Sequence, residues 1–174
     1  MIAESTLKKE VNMEKWDAYD KDFNKIENMV LIRGELIPNS VYHLVCDIAV
    51  KHIDGTYLLM QRSKNKHFGG MWELTAGGSA IQGESPLECA IRELKEETGI
   101  KTEKLTEIGS VVSDETHSIY FEFLCVIDID KKSIILQEDE TQDFKWVNKE
   151  EIVKMNSNNL ITKRMQLFLK DFHE

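Results

Sequence analysis

The chain has 174 residues, of which 41% are hydrophobic and 30% are charged, and its formal net charge is −9. This composition is ordinary for a globular domain with an apolar core. The excess of acidic residues argues against a broad basic surface for nucleic acid. A small anionic substrate stays compatible with it, because a bound cation can reverse the local field.

The N-terminal segment and the cysteines bound the organisation of the chain. Residues 1–12 are polar and weakly patterned, so we expect an extension over 1–12 and one domain over 13–174. Cys46, Cys89 and Cys125 form no CxxC pair, which predicts buried, reduced thiols. Neither a membrane-spanning apolar run nor a signal-peptide pattern is found, which predicts a cytoplasmic protein without a membrane partner. The sequence leaves the oligomeric state open, a homodimer included.

The order of apolar runs and turn residues predicts a mixed α/β fold. A DG turn at 54–55 between two β-rich runs indicates a hairpin, and His43 in the first run is expected to be a core residue. The predicted extended segments are 14–20, 25–36, 41–52, 56–63, 72–76, 104–113, 118–130, 133–140 and 141–147. The predicted helices are 85–98, 149–156 with Asn148 as N-cap, and 158–173 with a core-facing stripe of Ile161, Met165, Phe168 and Phe172. Such an order favours a mixed sheet with helices packed on its faces.

The helix at 85–98 has well-defined ends and an unusual charge pattern. Ser85 is the expected N-cap with Glu88 completing a capping box, Pro86 occupies the first turn, and Gly99 suits the left-handed position after the last turn. At ~100° per residue, the expected buried face is formed by Leu87, Ala90, Ile91, Leu94 and Thr98. Glu93, Glu96 and Glu97 fall together on one side, next to that face.

Three carboxylates so close together repel one another unless a cation binds them. A solvated acidic helix face is the ordinary explanation for such a cluster. The neighbouring buried face and the glycine-rich turn before the helix favour a site for Mg²⁺ or Mn²⁺, which prefer carboxylate oxygens.

The spacing of these residues resembles the signature of the Nudix hydrolases. From Gly78 through Glu84 to Arg92-Glu93-Leu94-Lys95-Glu96-Glu97-Thr98-Gly99-Ile100, the chain fits G-x5-E-x7-R-E-U-x-E-E-x-G-U at every fixed position, U being a bulky aliphatic residue. The resemblance implies an α/β/α sandwich with a mixed β-sheet and a loop–helix–loop catalytic motif. It also implies metal-dependent hydrolysis of a diphosphate bond in a nucleoside-linked or similar small substrate, by attack of water at phosphorus.

The same resemblance assigns roles to residues of the motif. Glu96 and Glu97 are implied as metal ligands, and Glu93 as a ligand or as the base that orients water. The carbonyl of Gly77 is a further implied ligand. Arg92 is expected to hold a motif glutamate in place, with Glu88 or Glu96 in reach. Gly78 shapes the loop, and Glu84 either binds metal through water or supports the loop.

Residues outside the motif are implied less directly. A further ligand is expected from Glu140, which precedes Trp146 as in the family's E-x5-W arrangement, with Glu115 in the loop before the next strand as the alternative. Arg62 and Lys66, together with Gly78 and Glu84 at the loop, are the candidate substrate-binding residues. Guanidinium groups suit phosphate oxygens.

Two other functions stay open at the level of sequence. The segments EKWDAYD, YHLVCDIAV, QRS and GGMWELTAGG resemble the subgroup that includes isopentenyl diphosphate isomerase. That enzyme carries a proton-transferring cysteine where this chain has Gly77, Gly78 and Ser79, which argues against isomerase activity. The other alternative is a non-catalytic Nudix-like domain that binds a nucleotide, but such domains usually lose carboxylates that this chain keeps.

Overall fold

The computed structural model describes residues 13–161 and Gln166. Its strands are β1 (Lys15–Tyr19), β2 (Lys25–Ile32), β3 (His43–His52), β4 (Tyr57–Arg62), β5 (Trp72–Glu73), β6 (Thr75–Ser79), β7 (Thr106–Ser113), β8 (Ser118–Ile127) and β9 (Thr141–Val147). Its helices are α1 (Pro86–Thr98), α2 (Lys149–Lys154) and a single 3₁₀ turn over Ser157–Asn159.

One mixed sheet organises the molecule. Its strand order is β5-β4-β3-β8-β7, with β6 on β3 and β9 on β4, while β1 and β2 form a separate antiparallel pair. β3 and β8 run parallel over their whole length, and the other pairs of the sheet are antiparallel. The predicted mixed α/β architecture is therefore confirmed.

Alternation along β3 and β4 creates two apolar cores, one on each face of the sheet. Leu44, Cys46, Ile48 and Val50 pack with α1 residues such as Leu94. Ala49 of β3 faces the opposite way and packs with Tyr57, Leu59 and Ile152, the last from α2. Because strand side chains alternate between faces, one sheet can hold a helix on each side, as in a sandwich.

The hairpin predicted around Gly55 exists only at its tip. His52 N–H donates to Thr56 O at 2.8 Å, but Lys51 and Tyr57 are the one register pair between β3 and β4. Beyond the tip, β3 pairs with β6 and β8, whereas β4 pairs with β5 and β9. The two strands separate beyond the turn because each forms a longer pairing with another strand, β3 with β8 and β4 with β9.

Two predicted elements were wrong in part. The expected strand over 133–140 is irregular: it crosses the end of α1, where Ile135 N–H donates to Thr98 O at 2.9 Å. The segment WELTA is broken at Leu74 into β5 and β6, which pair with different strands. The three cysteines are free and buried, as expected.

The ends of the chain are only partly described. The predicted helix over 158–173 does not begin at 158, because Ser157–Asn159 is a 3₁₀ turn and Ile161 N–H donates to Trp72 O at 3.0 Å. Met165, Phe168 and Phe172 of its stripe lie outside the described residues, as does the expected extension over 1–12. Between residues 13 and 161, no helix combines the length and apolar character needed to cross a membrane.

His43 is the core histidine that the sequence indicated. Its side chain is 7% exposed, stacks on Trp16 with ring centroids 4.1 Å apart, and lies 3.0 Å from Ser118 Oγ through Nε2. Burial lowers the pKa of His43 to about 4, because the imidazolium form loses its hydration there.

We therefore expect acid to destabilise the fold through His43. An unfolded histidine binds a proton below about pH 6.5, whereas folded His43 does so only near its pKa of about 4. Between these values the unfolded state holds more protons, so stability falls as pH falls. His43 should contribute a loss of ~2 kcal/mol in unfolding free energy between about pH 7 and pH 5, measured by urea denaturation. His43→Gln should lack that share of the slope, and an identical slope in both proteins would contradict the expectation.

Candidate active site

The helix α1 begins and ends where its sequence specifies. Ser85 accepts from Glu88 N–H, Glu88 bonds back to Ser85 N–H, and Gly99 in the left-handed conformation donates to Lys95 O. Its buried residues are Cys89, Ala90, Leu94 and Thr98, whereas Leu87 is 42% exposed. The expected inclusion of Leu87 in the buried face was therefore wrong.

Compared with the predicted orientation, α1 is rotated about its axis so that two of its acids face the interior. On the helical wheel Glu93 and Glu97 lie between Cys89 and Leu94, so they belong to the buried arc rather than to its border. The Glu93 side chain is 13% exposed, but that of Glu96 is 47% exposed. The three motif carboxylates are thus divided into two inner acids and one at the surface.

The glycines before α1 let the strand β6 approach its neighbours closely. A methyl group on Gly77 would come within 2.0 Å of Cys46 O on β3, and one on Gly78 within 2.4 Å of Glu93 Oε1. Gly77 N–H donates to Glu97 Oε2 at 3.2 Å. Only glycine fits at position 77, where the obstacle is backbone, whereas a Cβ on Gly78 would displace the end of the Glu93 side chain. The backbone of β6 therefore lies directly against the two inner acids.

Arg92 joins the loop to the helix. Its Nε donates to Glu84 Oε1 at 2.7 Å and its Nη2 to Glu84 Oε2 at 2.9 Å, a bidentate pair. Nη1 donates to Glu93 Oε1 at 2.6 Å and to Glu96 Oε2 at 3.3 Å. The expected contact with Glu96 is present, whereas Glu88 is held by Ser85 in the capping box. The hydrogen bonds to carboxylates raise the pKa of Arg92, which stays charged.

The inner acids resist ionisation. Burial raises the pKa of Glu93, although Arg92 opposes the shift. Burial raises the pKa of Glu97 well above its usual range, and the charges of Glu73 and Glu93 raise it further. Among the described residues, no three acidic, histidine or cysteine side chains form a preassembled metal-binding group. The carboxylates of Glu93 and Glu97 instead take their hydrogen bonds from Arg92 and Gly77.

Glu73 is a site residue that the sequence reasoning missed. It lies on β5 opposite Met60 of β4, and Arg62 Nη1 lies 3.8 Å from its Oε2. Burial raises the pKa of Glu73, and its charge acts on Glu97. The available signal was a charged residue inside the mainly apolar segment WELTA, four residues before Gly77.

The residues expected from outside the motif fall into two groups. Arg62 lies beside Glu73, with Nη1 3.8 Å from Glu73 Oε2, and its Nε donates to His67 O at 3.0 Å. Its charge lowers the pKa of both Glu73 and Glu97, opposing the effect of burial. Lys66 and Glu140 form an ion pair with each other, and Glu140 O accepts from Ser63 N–H at 2.9 Å. Glu140 is thus held at the loop after β4. Glu115, the alternative to Glu140, is exposed in the loop between β7 and β8.

Comparison with known proteins identifies the family of this chain. The NUDIX domain profile matches residues 41–169. The chain belongs to the Nudix hydrolase family. It is therefore a hydrolase of pyrophosphate linkages.

Similar proteins cover between 41% and 92% of the chain. An uncharacterized Nudix hydrolase of Listeria innocua is 29% identical over 147 residues, which is 83% of this chain and 86% of the relative. An 8-oxo-dGTP diphosphatase of Proteus vulgaris is 35% identical over 71 residues, 41% of this chain and 58% of the relative. The crystal structure of DR0079 from Deinococcus radiodurans superposes with a TM-score of 0.74 at 15% identity, covering 92% of this chain and all of that one. The last likeness shows the fold.

Gly78→Ala should separate activity from stability in this Nudix domain. The added methyl group would meet the end of the Glu93 side chain, which can move, rather than backbone. We expect near-wild-type thermal stability and a roughly 100-fold lower kcat/KM, because Glu93, the expected catalytic group, would lose its alignment on a displacement of about 1 Å. Gly109→Ala is the matched control, since its methyl group would make only an ordinary contact 3.7 Å from Glu122. Equal activities for the two variants would show that the Glu93 position is unimportant.

Proposed function

We propose that this Nudix hydrolase cleaves the diphosphate bond of a nucleoside-linked small molecule and does so with Mg²⁺ or Mn²⁺. The observation that carries the proposal is the environment of Glu97. Its carboxylate is partly buried, faces the charges of Glu73 and Glu93, and meets the backbone of Gly77. A divalent cation would relieve this repulsion.

The donors available around Glu97 fit a hard divalent cation. Glu93 and Glu97 supply carboxylate oxygens from one helix, and the Gly77 carbonyl is the expected backbone ligand on the adjacent strand. Glu96 would bind from the exposed side of the helix, where its carboxylate is accessible. Glu140 is retained as a candidate ligand, although its carboxylate would first have to leave Lys66.

The residues of the chain would then position water and phosphorus for in-line attack. A bound cation of this kind neutralises the diphosphate and lowers the pKa of a coordinated water. Glu93 would orient that water or accept its proton, and burial, which raises the pKa of Glu93, makes its carboxylate a stronger proton acceptor. Arg92 holds Glu93 through Nη1 at 2.6 Å, which fixes the direction of the carboxylate. Catalysis of this type depends chiefly on positioning and electrostatics.

Substrate recognition is proposed to involve the basic end of β4. Arg62 lies close enough to Glu97 to influence its ionisation, which supports a contact with the diphosphate. Lys66 would reach phosphate only by releasing Glu140. Gly78 and Glu84 shape the loop over which the diphosphate would pass. The similarity to an 8-oxo-dGTP diphosphatase favours nucleoside di- or triphosphates as substrates.

Glu97→Gln should abolish hydrolysis without unfolding the protein. The amide removes a charged metal ligand but keeps the shape of the side chain and an acceptor oxygen for Gly77 N–H. Because Glu73 and Glu93 repel the carboxylate, its neutralisation should leave the melting temperature equal or higher.

The matched control is Glu88→Gln on the same helix. Glutamine still serves at this position of a capping box, so hydrolysis should stay near the wild-type rate. Both variants are assayed by phosphate or nucleotide release together with thermal melting. Wild-type turnover by Glu97→Gln would show that the metal is bound elsewhere.

A substrate panel tests the reaction and its cation together. The panel comprises nucleoside di- and triphosphates, nucleotide sugars, ADP-ribose and dinucleoside polyphosphates, each with Mg²⁺ and with Mn²⁺. We expect release from nucleoside di- or triphosphates, its loss on chelation, and its return when either cation is added in excess. Turnover that survives chelation would contradict metal dependence, and release from another class alone would contradict the substrate proposal.

A further inference from the structure

The turn that leads into α1 exposes two backbone donors in succession. Ile81, Gln82, Gly83 and Glu84 form a turn in which Glu84 N–H donates to Ile81 O at 3.0 Å and Gly83 has φ of +90°. The amides of the two central residues, Gln82 and Gly83, take no part in that closing bond. They need acceptors from another part of the structure or from water.

The β1–β2 hairpin supplies an acceptor for each of them. Lys15 O accepts from Gln82 N–H at 2.8 Å, and Asp17 Oδ2 accepts from Gly83 N–H at 2.9 Å. Asp17 is 6% exposed, and Lys25 Nζ of β2 lies 2.8 Å from the same oxygen. A buried carboxylate that accepts a backbone N–H makes a charge-assisted bond, stronger than a bond between neutral groups.

The turn held by these two hydrogen bonds includes Glu84, and Glu84 binds Arg92. Glu84 Oε2 accepts from Ile81 N–H at 3.0 Å, while both of its oxygens bind Arg92. Arg92 in turn binds Glu93. Asp17 on the hairpin is thus linked to Glu93 on the helix by hydrogen bonds and by the peptide bond between Gly83 and Glu84, although the hairpin lies outside the segment matched by the NUDIX profile.

We propose that Asp17 is a positioning residue for the catalytic acids, acting through Gly83, Glu84 and Arg92. The β1–β2 hairpin therefore helps to fix the geometry of the active site. This inference rests on the proposed function for its catalytic consequence, but the hydrogen bond to Gly83 can be tested without any substrate.

The test compares Asp17→Ala and Asp17→Asn in the full chain. Alanine leaves Gly83 N–H without its acceptor, whereas asparagine keeps a side-chain oxygen of the same reach. In ¹⁵N-labelled protein we expect Gly83 amide exchange to be at least about tenfold faster in Asp17→Ala. With the substrate cleaved fastest in the panel, kcat should fall about tenfold while KM changes less than about twofold. Asp17→Asn should retain most of the wild-type protection of the Gly83 amide and most of the wild-type kcat.

Asp20→Ala is the matched control on the same hairpin. Asp20 closes the hairpin turn by accepting from Asp22 and Asn24 N–H and makes no bond to the catalytic loop. It should leave kcat and the Gly83 amide unchanged. Should Asp17→Ala not fold, Asp17→Ser replaces it, because the hydroxyl is too short to reach Gly83.

Three outcomes would overturn the inference. They are a wild-type kcat in Asp17→Ala, an equal loss in Asp20→Ala, and an Asp17→Asn protein as impaired as the alanine variant. Because amide exchange is measured without substrate, an enzyme inactive on the whole panel would contradict the proposed function alone.

Discussion

The bidentate contact between Arg92 and Glu84 is the interaction on which the site depends. One planar guanidinium binds the carboxylate of the loop and, through Nη1, the carboxylate of Glu93 on its own helix. Lysine could not replace it, because a single ammonium group lacks the fork that holds two carboxylates in fixed directions. Loop and helix are therefore one rigid unit, and Glu93 stays in place although burial disfavours its charge.

Close backbone packing is the second constraint. Cys46 O leaves no room for a side chain at Gly77, and a side chain at Gly78 would displace the Glu93 carboxylate. β6 consequently packs closely against both β3 and α1, and its backbone lies next to Glu93 and Glu97. The two-sided core of β3 makes this stable, since α1 packs on one face and α2 on the other. Rigid elements on both faces hold the acids more precisely than a loop alone would.

The hairpin shows how a segment outside a family motif can become part of a site. Its apolar residues Trp16, Ala18 and Leu31 pack with Val41 into a small core of their own. That core places Asp17 and Lys15 O beside the turn before α1. Sequence spacing could not predict this contact, because Asp17 and Gly83 are 66 positions apart and no periodic pattern links them.

The sequence by itself determined the local features: the caps of α1 and α2, the alternating strands, the turn at Gly55 and the spacing of the acids in the motif. These follow from neighbours a few residues apart, which propensity and periodicity describe. The tertiary structure alone decided the rotation of α1, the splayed hairpin, the irregular path of 133–140 and the pairing of Lys66 with Glu140. It also brought Glu73 to Glu97. Such contacts depend on which strand pairs with which, and burial changes the energy of a charge only once the fold has formed.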